Sequence, residues 1–257
     1  MIRYALAGDR QIAVDCLRFM LDQGAKPEAL LLPSPDRATH GAHLRDLSGL
    51  PDDRVLIGPE FRQPGGIELL GSLDLDYIVG VHFPYIIPTE VLALPRIGVL
   101  NLHPALLPYN RGWHTPSWAI IDQTPFGATL HFMDSGLDTG DIVAQVPLEV
   151  RPDDTAHTLY RRALDLELEL FQEAWPLLLS GHPPRTAQPG GSGTRHDRSE
   201  LGAERRLDLD RALPVGEVLR TLRALTTGDP DEAAYFEEAG RRYRVQVVIT
   251  PEEPGEA

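Results

Sequence analysis

Apolar positions along the chain follow two alternating patterns. Short, nearly continuous apolar runs at 2–7, 29–32, 55–57, 76–81 and 98–103 predict strands, the denser ones covered on both faces. Between them, apolar residues recur every three to four positions. Ile12, Val14, Cys16, Leu17, Met20 and Leu21 share one face of a helix over 11–23. A second helix is predicted over 67–73 and a short one over 89–94, opened by Pro88. The polar stretch between Pro33 and Asp53 sets no helix boundary. A helix near 117–122 and strands at 128–133 and 141–150 follow. Asp154 and Thr155 then cap a long helix to about Leu179, with Leu159, Ala163, Leu166, Leu170, Ala174 and Leu178 on its apolar face and Gly181 at its end. This alternation predicts an α/β domain with a doubly wound, mainly parallel, Rossmann-like sheet.

The pattern breaks after Gly181. Pro183, Pro184, Pro189, Gly190, Gly191 and Gly193 predict a linker over 182–203. A helix at 215–225 and a hairpin turning at Glu237–Gly240 predict a small α+β appendage over 204–250, and 251–257 reads as an acidic, frayed tail. The expected division is thus a main α/β domain (1–181), linker, appendage and tail. No internal repeat is present.

No apolar run approaches a membrane span, and Met1 leads into a strand pattern rather than a secretory signal, so a cytoplasmic protein with no membrane association is expected. The single cysteine, Cys16, has no internal disulfide partner and lies on a helical apolar face, the position of a packed core thiol. A formal net charge of −14 argues against a large nucleic-acid partner, which would call for basic surface.

Candidate chemistry concentrates where the 98–103 strand ends. Asn101 and His103 are two residues apart and so share one face of that strand. Pro104 and Pro108 stop it, and open parallel sheets bind ligands at the carboxyl ends of their strands. Asp138 lies in a glycine-punctuated loop between two predicted strands. An amide, an imidazole and a carboxylate are the parts needed to stabilise a developing oxyanion and manage one proton. Spacing alone does not bring Asp138 to His103, and each residue taken singly also has a plain structural reading. The Gly8-Asp9-Arg10 turn lacks the Gly-x-Gly-x-x-Gly spacing of a dinucleotide site and reads as a simple turn, with Arg10 placed to meet an anion at a helix start. A metal set of His103, His114 and His131 with Asp134 or Asp138 lacks the usual helical ligand spacings.

Asn101-Leu-His103-Pro104-Ala-Leu-Leu-Pro108, then Arg111-Gly112 and Leu137-Asp138-Thr-Gly-Asp141, resembles the tetrahydrofolate-dependent formyltransferase family, which includes methionyl-tRNA, glycinamide ribonucleotide and sugar-amine formyltransferases. The similarity covers about 1–180, with a partial echo in 205–250. The resemblance implies that Asn101, His103 and Asp138 are catalytic and that N10-formyltetrahydrofolate is the formyl donor. It implies that 82–88, with Phe83, Tyr85 and Ile86, holds the pterin and that Asp134 and Leu137 form the opposing wall. Asn101 and His103 would then donate to the oxyanion, while Asp138 favours protonated His103 or accepts the proton that the amine sheds.

The acceptor is read from what surrounds this set. The acidic balance, which extends through the segment after Glu204, argues against tRNA. The aromatic and polar run 109–118, with Tyr109, Gly112 and His114, suits a small polar ligand, and Arg10 shares the same sheet edge. Trp118 reads equally well as core. The expected acceptor is a small-molecule amine: a nucleotide-linked amino sugar first, an amino acid or hydroxylamine-bearing precursor second, methionyl-tRNA third. A folate-binding regulatory protein is the non-enzymatic alternative. The appendage either closes over the site and helps choose the acceptor or mediates a homodimer.

Overall fold

The computed structural model describes residues 2–191 and 193–252, so Ser192 of the predicted linker and 253–257 of the predicted tail lie outside the described residues. In chain order the strands and helices are β1 (Tyr4–Gly8), α1 (Arg10–Asp22), β2 (Ala29–Leu32), α2 (Gly41–Ser48), β3 (Val55–Ile57), α3 (Pro64–Ser72), β4 (Tyr77–Val81), α4 (Thr89–Leu92) and β5 (Gly98–His103). There follow β6 (Arg111–Gly112), α5 (Thr115–Asp122), β7 (Phe126–Phe132), β8 (Ile142–Leu148), α6 (Ala156–Leu179), β9 (Arg195–His196), α7 (Leu201–Glu204), α8 (Val215–Leu225), β10 (Ala234–Glu238) and β11 (Arg241–Val245). Contacts group these into two units that interleave along the chain. One takes the residues up to His103 with 128–146 and 165–190; the other takes 104–127, 147–164 and the described residues from 191 onward.

The first unit is organised on a seven-stranded sheet in the order β3-β2-β1-β4-β5-β7-β8. β1 to β5 pair in parallel, as the strand–helix alternation predicts. β7 runs antiparallel to β5 and sets Asn101 opposite His131 and His103 opposite Thr129. Ala5, Ala7, Ala29, Leu31, Ile78 and Val99 line one buried face, packed under Phe61, Leu70 and Val91. Small residues on β1 and β2 leave room for those larger neighbours, and each large apolar side chain buried this way is worth roughly 1.5–3 kcal/mol. Cys16 is fully buried and free, its thiol pushed well up by burial, so it is a packing residue. Pro88 caps α4 from outside, and the helix stops at Leu92, two residues earlier than its apolar pattern predicts.

The second unit buries a smaller cluster of Trp118, Leu201, Leu225 and Ala234. Trp118 is 6% exposed and its indole lies flat on the His196 ring, with centroids 3.7 Å apart and planes at 5°. That resolves its two sequence readings in favour of core. β9 falls within the Pro- and Gly-rich stretch 182–203, and α7 begins within it and ends one residue beyond. Its composition disfavours long elements, but β9 needs only two residues, which pair with Arg111 and Gly112 of β6. The hairpin turns where predicted, and β11 ends at Val245.

Candidate active site

β5 ends in the middle of the seven-stranded sheet, and its last residues carry the site. Asn101 and His103 emerge on one face because they are separated by one residue of a strand. Asp138 reaches them from the 133–141 loop, where its φ of 52° places it in the left-handed region. His103 Nε2 stands 3.6 Å from Asp138 Oδ2, with the two side chains 8% and 10% exposed. Asn101 Nδ2 lies 3.5 Å from Asp138 Oδ1. The structure therefore brings all three predicted catalytic residues together, which their spacing in the sequence could not show.

A fourth side chain joins them. His131 is fully buried on β7, and its Nε2 is 3.3 Å from Asn101 Nδ2. Its Nδ1 lies 2.7 Å from the Phe132 carbonyl. A carbonyl only accepts, so Nδ1 carries the proton and Nε2 presents a lone pair to the Asn101 amide. Burial pushes the His131 pKa down to about 4, against the upward pull of Asp138. His131 is thus a neutral acceptor that orients Asn101. The sequence signal was there, since His131 stands in a strand seven residues before Asp138, but it could not be read without the β5–β7 register.

The loop that presents Asp138 is held from several sides. The Asp134 carboxylate accepts from the Gly136 amide at 2.9 Å and from the Thr139 hydroxyl at 2.6 Å, so its side chain shapes the loop. Gly140 packs so closely that an added Cβ would lie 2.0 Å from the Phe132 carbonyl oxygen. Gln188 donates to the carbonyls of Asp138 and Gly140 at 2.9 and 2.8 Å. Gln188 was missed because it lies in a stretch whose composition signals only a linker. Leu137 is half-buried in the same loop.

The other predicted contacts fall in two groups. β1, β4 and β5 are parallel, with Gly8 paired to Val81 and Val81 to Leu102, so Arg10 and the 82–88 loop leave the sheet at the edge where His103 ends β5. Arg10 is exposed there. In the loop, Phe83 and Tyr85 pack their rings on Phe61 at 5.3 and 6.1 Å, whereas Ile86 is 80% exposed. Tyr109, Gly112 and His114 belong to the second unit. The Tyr109 amide donates to Leu106 O at 3.0 Å, Gly112 pairs with His196, and His114 precedes α5 with a left-handed backbone at φ 56°. Burial holds the His114 pKa below its usual value. Among the described residues no group of three or more His, Cys, Asp and Glu is placed to hold a metal ion, and no helix is long and apolar enough to cross a membrane.

Comparison with known proteins accords with this geometry. Residues 60–175, which contain Asn101, His103, His131 and Asp138, match the profile of the formyl transferase family, and residues 200–251 match the N-formyltransferase dimerization C-terminal domain. The dTDP-4-amino-4,6-dideoxyglucose formyltransferase of Mycobacterium tuberculosis (strain ATCC 25618 / H37Rv) is 33% identical over 182 residues, 71% of this chain and 76% of its own length. The methionyl-tRNA formyltransferase of Geobacter sulfurreducens is 32% identical over 194 residues, 73% of this chain and 61% of its own. Among solved structures, the N-formyltransferase from Helicobacter canadensis in complex with folinic acid and dTDP-3-aminofucose shares the fold. Its TM-score is 0.71 over 93% of this chain and 85% of its own, at 20% identity. With the amide, imidazole and carboxylate of its site assembled on the strand and loop where the motif places them, the chain belongs to the formyl transferase family.

Proposed function

We propose that this protein is an N-formyltransferase that moves the formyl group of N10-formyltetrahydrofolate to the amine of a nucleotide-linked amino sugar, with the cytoplasm as its compartment. The observation that carries the reading is the convergence of Asn101, His103 and Asp138 within 3.6 Å contacts at the end of β5. The 82–88 loop fits a flat heterocycle: it has an aromatic base in Phe83 and Tyr85 and a large apolar side chain, Ile86, left in solvent at the ligand-binding edge. Asp134 and Leu137 form the facing wall in this reading. The donor supplies an activated formyl carbon.

Each residue then has a defined task. When an amine adds to the formyl carbon, negative charge grows on the formyl oxygen. Asn101 has one amide hydrogen on His131; the other makes only a 3.5 Å contact with Asp138 and is available to that oxygen. His103 is the second donor. Donors fixed before the reaction in a site shielded from water lower the barrier, each by about 3–4 kcal/mol. Asp138 takes up the proton shed by the amine, directly or through water. The adduct then collapses by breaking the bond between the formyl carbon and N10, and that proton passes to N10, so that tetrahydrofolate leaves and the amine keeps the formyl group.

The relative from Mycobacterium tuberculosis is named for a dTDP-linked 4-amino sugar and the Helicobacter canadensis structure holds a dTDP-linked 3-amino sugar, which supports a nucleotide sugar here. The net charge of −14 supports it over tRNA. Arg10, Tyr109, Gly112 and His114 are the proposed acceptor contacts. The assembly is a homodimer formed through α8, whose Val215, Val218 and Leu219 are 74%, 37% and 45% exposed on one stripe within the segment that matches the dimerization domain. The test is an acceptor screen with N10-formyltetrahydrofolate, followed by mass spectrometry. Formylation of dTDP-4-amino-4,6-dideoxyglucose or dTDP-3-aminofucose supports the reading. Formylation of methionyl-tRNA alone replaces the acceptor, and folate binding without transfer to any amine replaces the enzyme with a binding protein.

A further inference from the structure

A buried histidine–carboxylate contact lies beneath the loop assigned to the pterin. His82 is the first residue after β4 and has a φ of 52°, a left-handed conformation that costs energy for any residue with a Cβ. Its side chain turns inward, with Nε2 at 3.0 and 2.9 Å from the two carboxylate oxygens of Glu167 on α6. The histidine side chain is 7% exposed and that of Glu167 0%. The neighbouring positions Leu170, Phe171 and Ala174 of α6 are buried and apolar.

Such a pair is poor evidence for stability, because apolar residues of the same volume usually serve a core at least as well. Its value lies in fixing a geometry. The pair ties the first residue of the loop, in its left-handed conformation, to α6. Further along, the Tyr85 hydroxyl lies 3.1 Å from Ser34 Oγ, and Ile87 is buried, so the loop is tied in the middle and at its far end as well. Between these ties Ile86 is 80% exposed. A rigid heterocycle bound by a loop needs that loop already in place, since ordering it on binding subtracts from affinity.

We infer that Glu167 is a positioning residue for the formyl donor, acting through His82 to hold the 82–87 backbone in its binding conformation. This rests on the folate reading above. It does not involve the acceptor or the chemistry at Asn101, His103 and Asp138.

The experiment measures folinic acid binding by calorimetry, and amide hydrogen exchange over 82–87 in the free protein, for wild type, Glu167→Gln, Glu167→Ala and the double variant His82→Ala with Glu167→Ala. Glu167→Ala is expected to weaken folinic acid about tenfold and to speed exchange over 82–87, while Glu167→Gln, which keeps an acceptor, stays within about threefold of wild type. The double variant is expected to bind no more weakly than Glu167→Ala, because the two residues act as one unit. In turnover, the KM for the formyl donor should rise while kcat stays within about twofold. A folded Glu167→Ala with wild-type affinity and exchange overturns the inference. Should Glu167→Ala not fold, His82→Leu with Glu167→Leu decides by the same two readouts: weakened binding with faster exchange supports the inference, and wild-type values overturn it. If the wild type binds no folinic acid, the folate reading has failed, and the exchange result still shows whether Glu167 holds the loop.

Discussion

Asn101 and His131 face each other across the antiparallel β5–β7 pair, with 3.3 Å between the amide nitrogen and the unprotonated ring nitrogen. An asparagine amide can rotate and can present either its oxygen or its nitrogen to a substrate. His131 removes that freedom, because only the nitrogen end can donate to Nε2. The result is a donor aimed before any ligand arrives.

His131→Phe keeps the volume of the ring and removes the acceptor. It should lower kcat about 10- to 100-fold, with the KM of donor and acceptor little changed, since the lost interaction matters when charge develops on oxygen. Steady-state kinetics check this. An unchanged kcat would mean that Asn101 is oriented without its cross-strand partner.

Stability should also depend on pH through the same residue. The pKa of His131 is about 4 in the folded protein against an ordinary value of 6.5, so between these two values the unfolded chain binds a proton that the folded one refuses. The contribution is complete above pH 6.5 and is lost as pH falls towards 4, by about 3 kcal/mol in all. Urea unfolding at a series of pH values, for wild type and His131→Phe, tests this. The variant should show a visibly shallower dependence over that window.

The loop carrying Asp138 leaves no space at Gly140. An added Cβ would sit 2.0 Å from the Phe132 carbonyl oxygen, so Gly140→Ala must shift the backbone two residues after Asp138. Turnover should fall at least about tenfold, in line with the sensitivity of catalysis to displacements of an ångström, while circular dichroism shows the fold retained. Wild-type turnover in this variant would mean that Asp138 does not need its observed position.

The exposed stripe of α8 makes a separate prediction. Leu219→Asp puts a charge into a patch that a dimer would bury, which typically costs several kcal/mol at an interface. Light scattering should then report a monomer where the wild type is a dimer. A wild-type mass unchanged by the substitution would move the interface away from α8.

Much of the first unit was legible because its strands are short, apolar and punctuated. β2, β3 and β5 fall where the apolar runs predict, since Gly, Pro and polar residues bound each run tightly. Asn101 and His103 could be placed on one face from the period of a strand alone. What could not be read was anything that depends on strand register or on loops returning from a distance. His131 looks like one more residue of a buried strand until β7 is set antiparallel to β5. Gln188 sits among prolines and glycines, and only the path of the folded chain brings its amide to the Asp138 loop. His82 and Glu167 are 85 residues apart, and neither carries a signal of the other.

In the proposed reaction Asn101, His103 and Asp138 together carry out formyl transfer. The most direct measurement is turnover by Asp138→Asn and His103→Ala beside their affinity for folinic acid. Losses of about 10²–10³-fold or more in kcat, with folinic acid binding preserved, are the expected result. Wild-type turnover in both variants would contradict it.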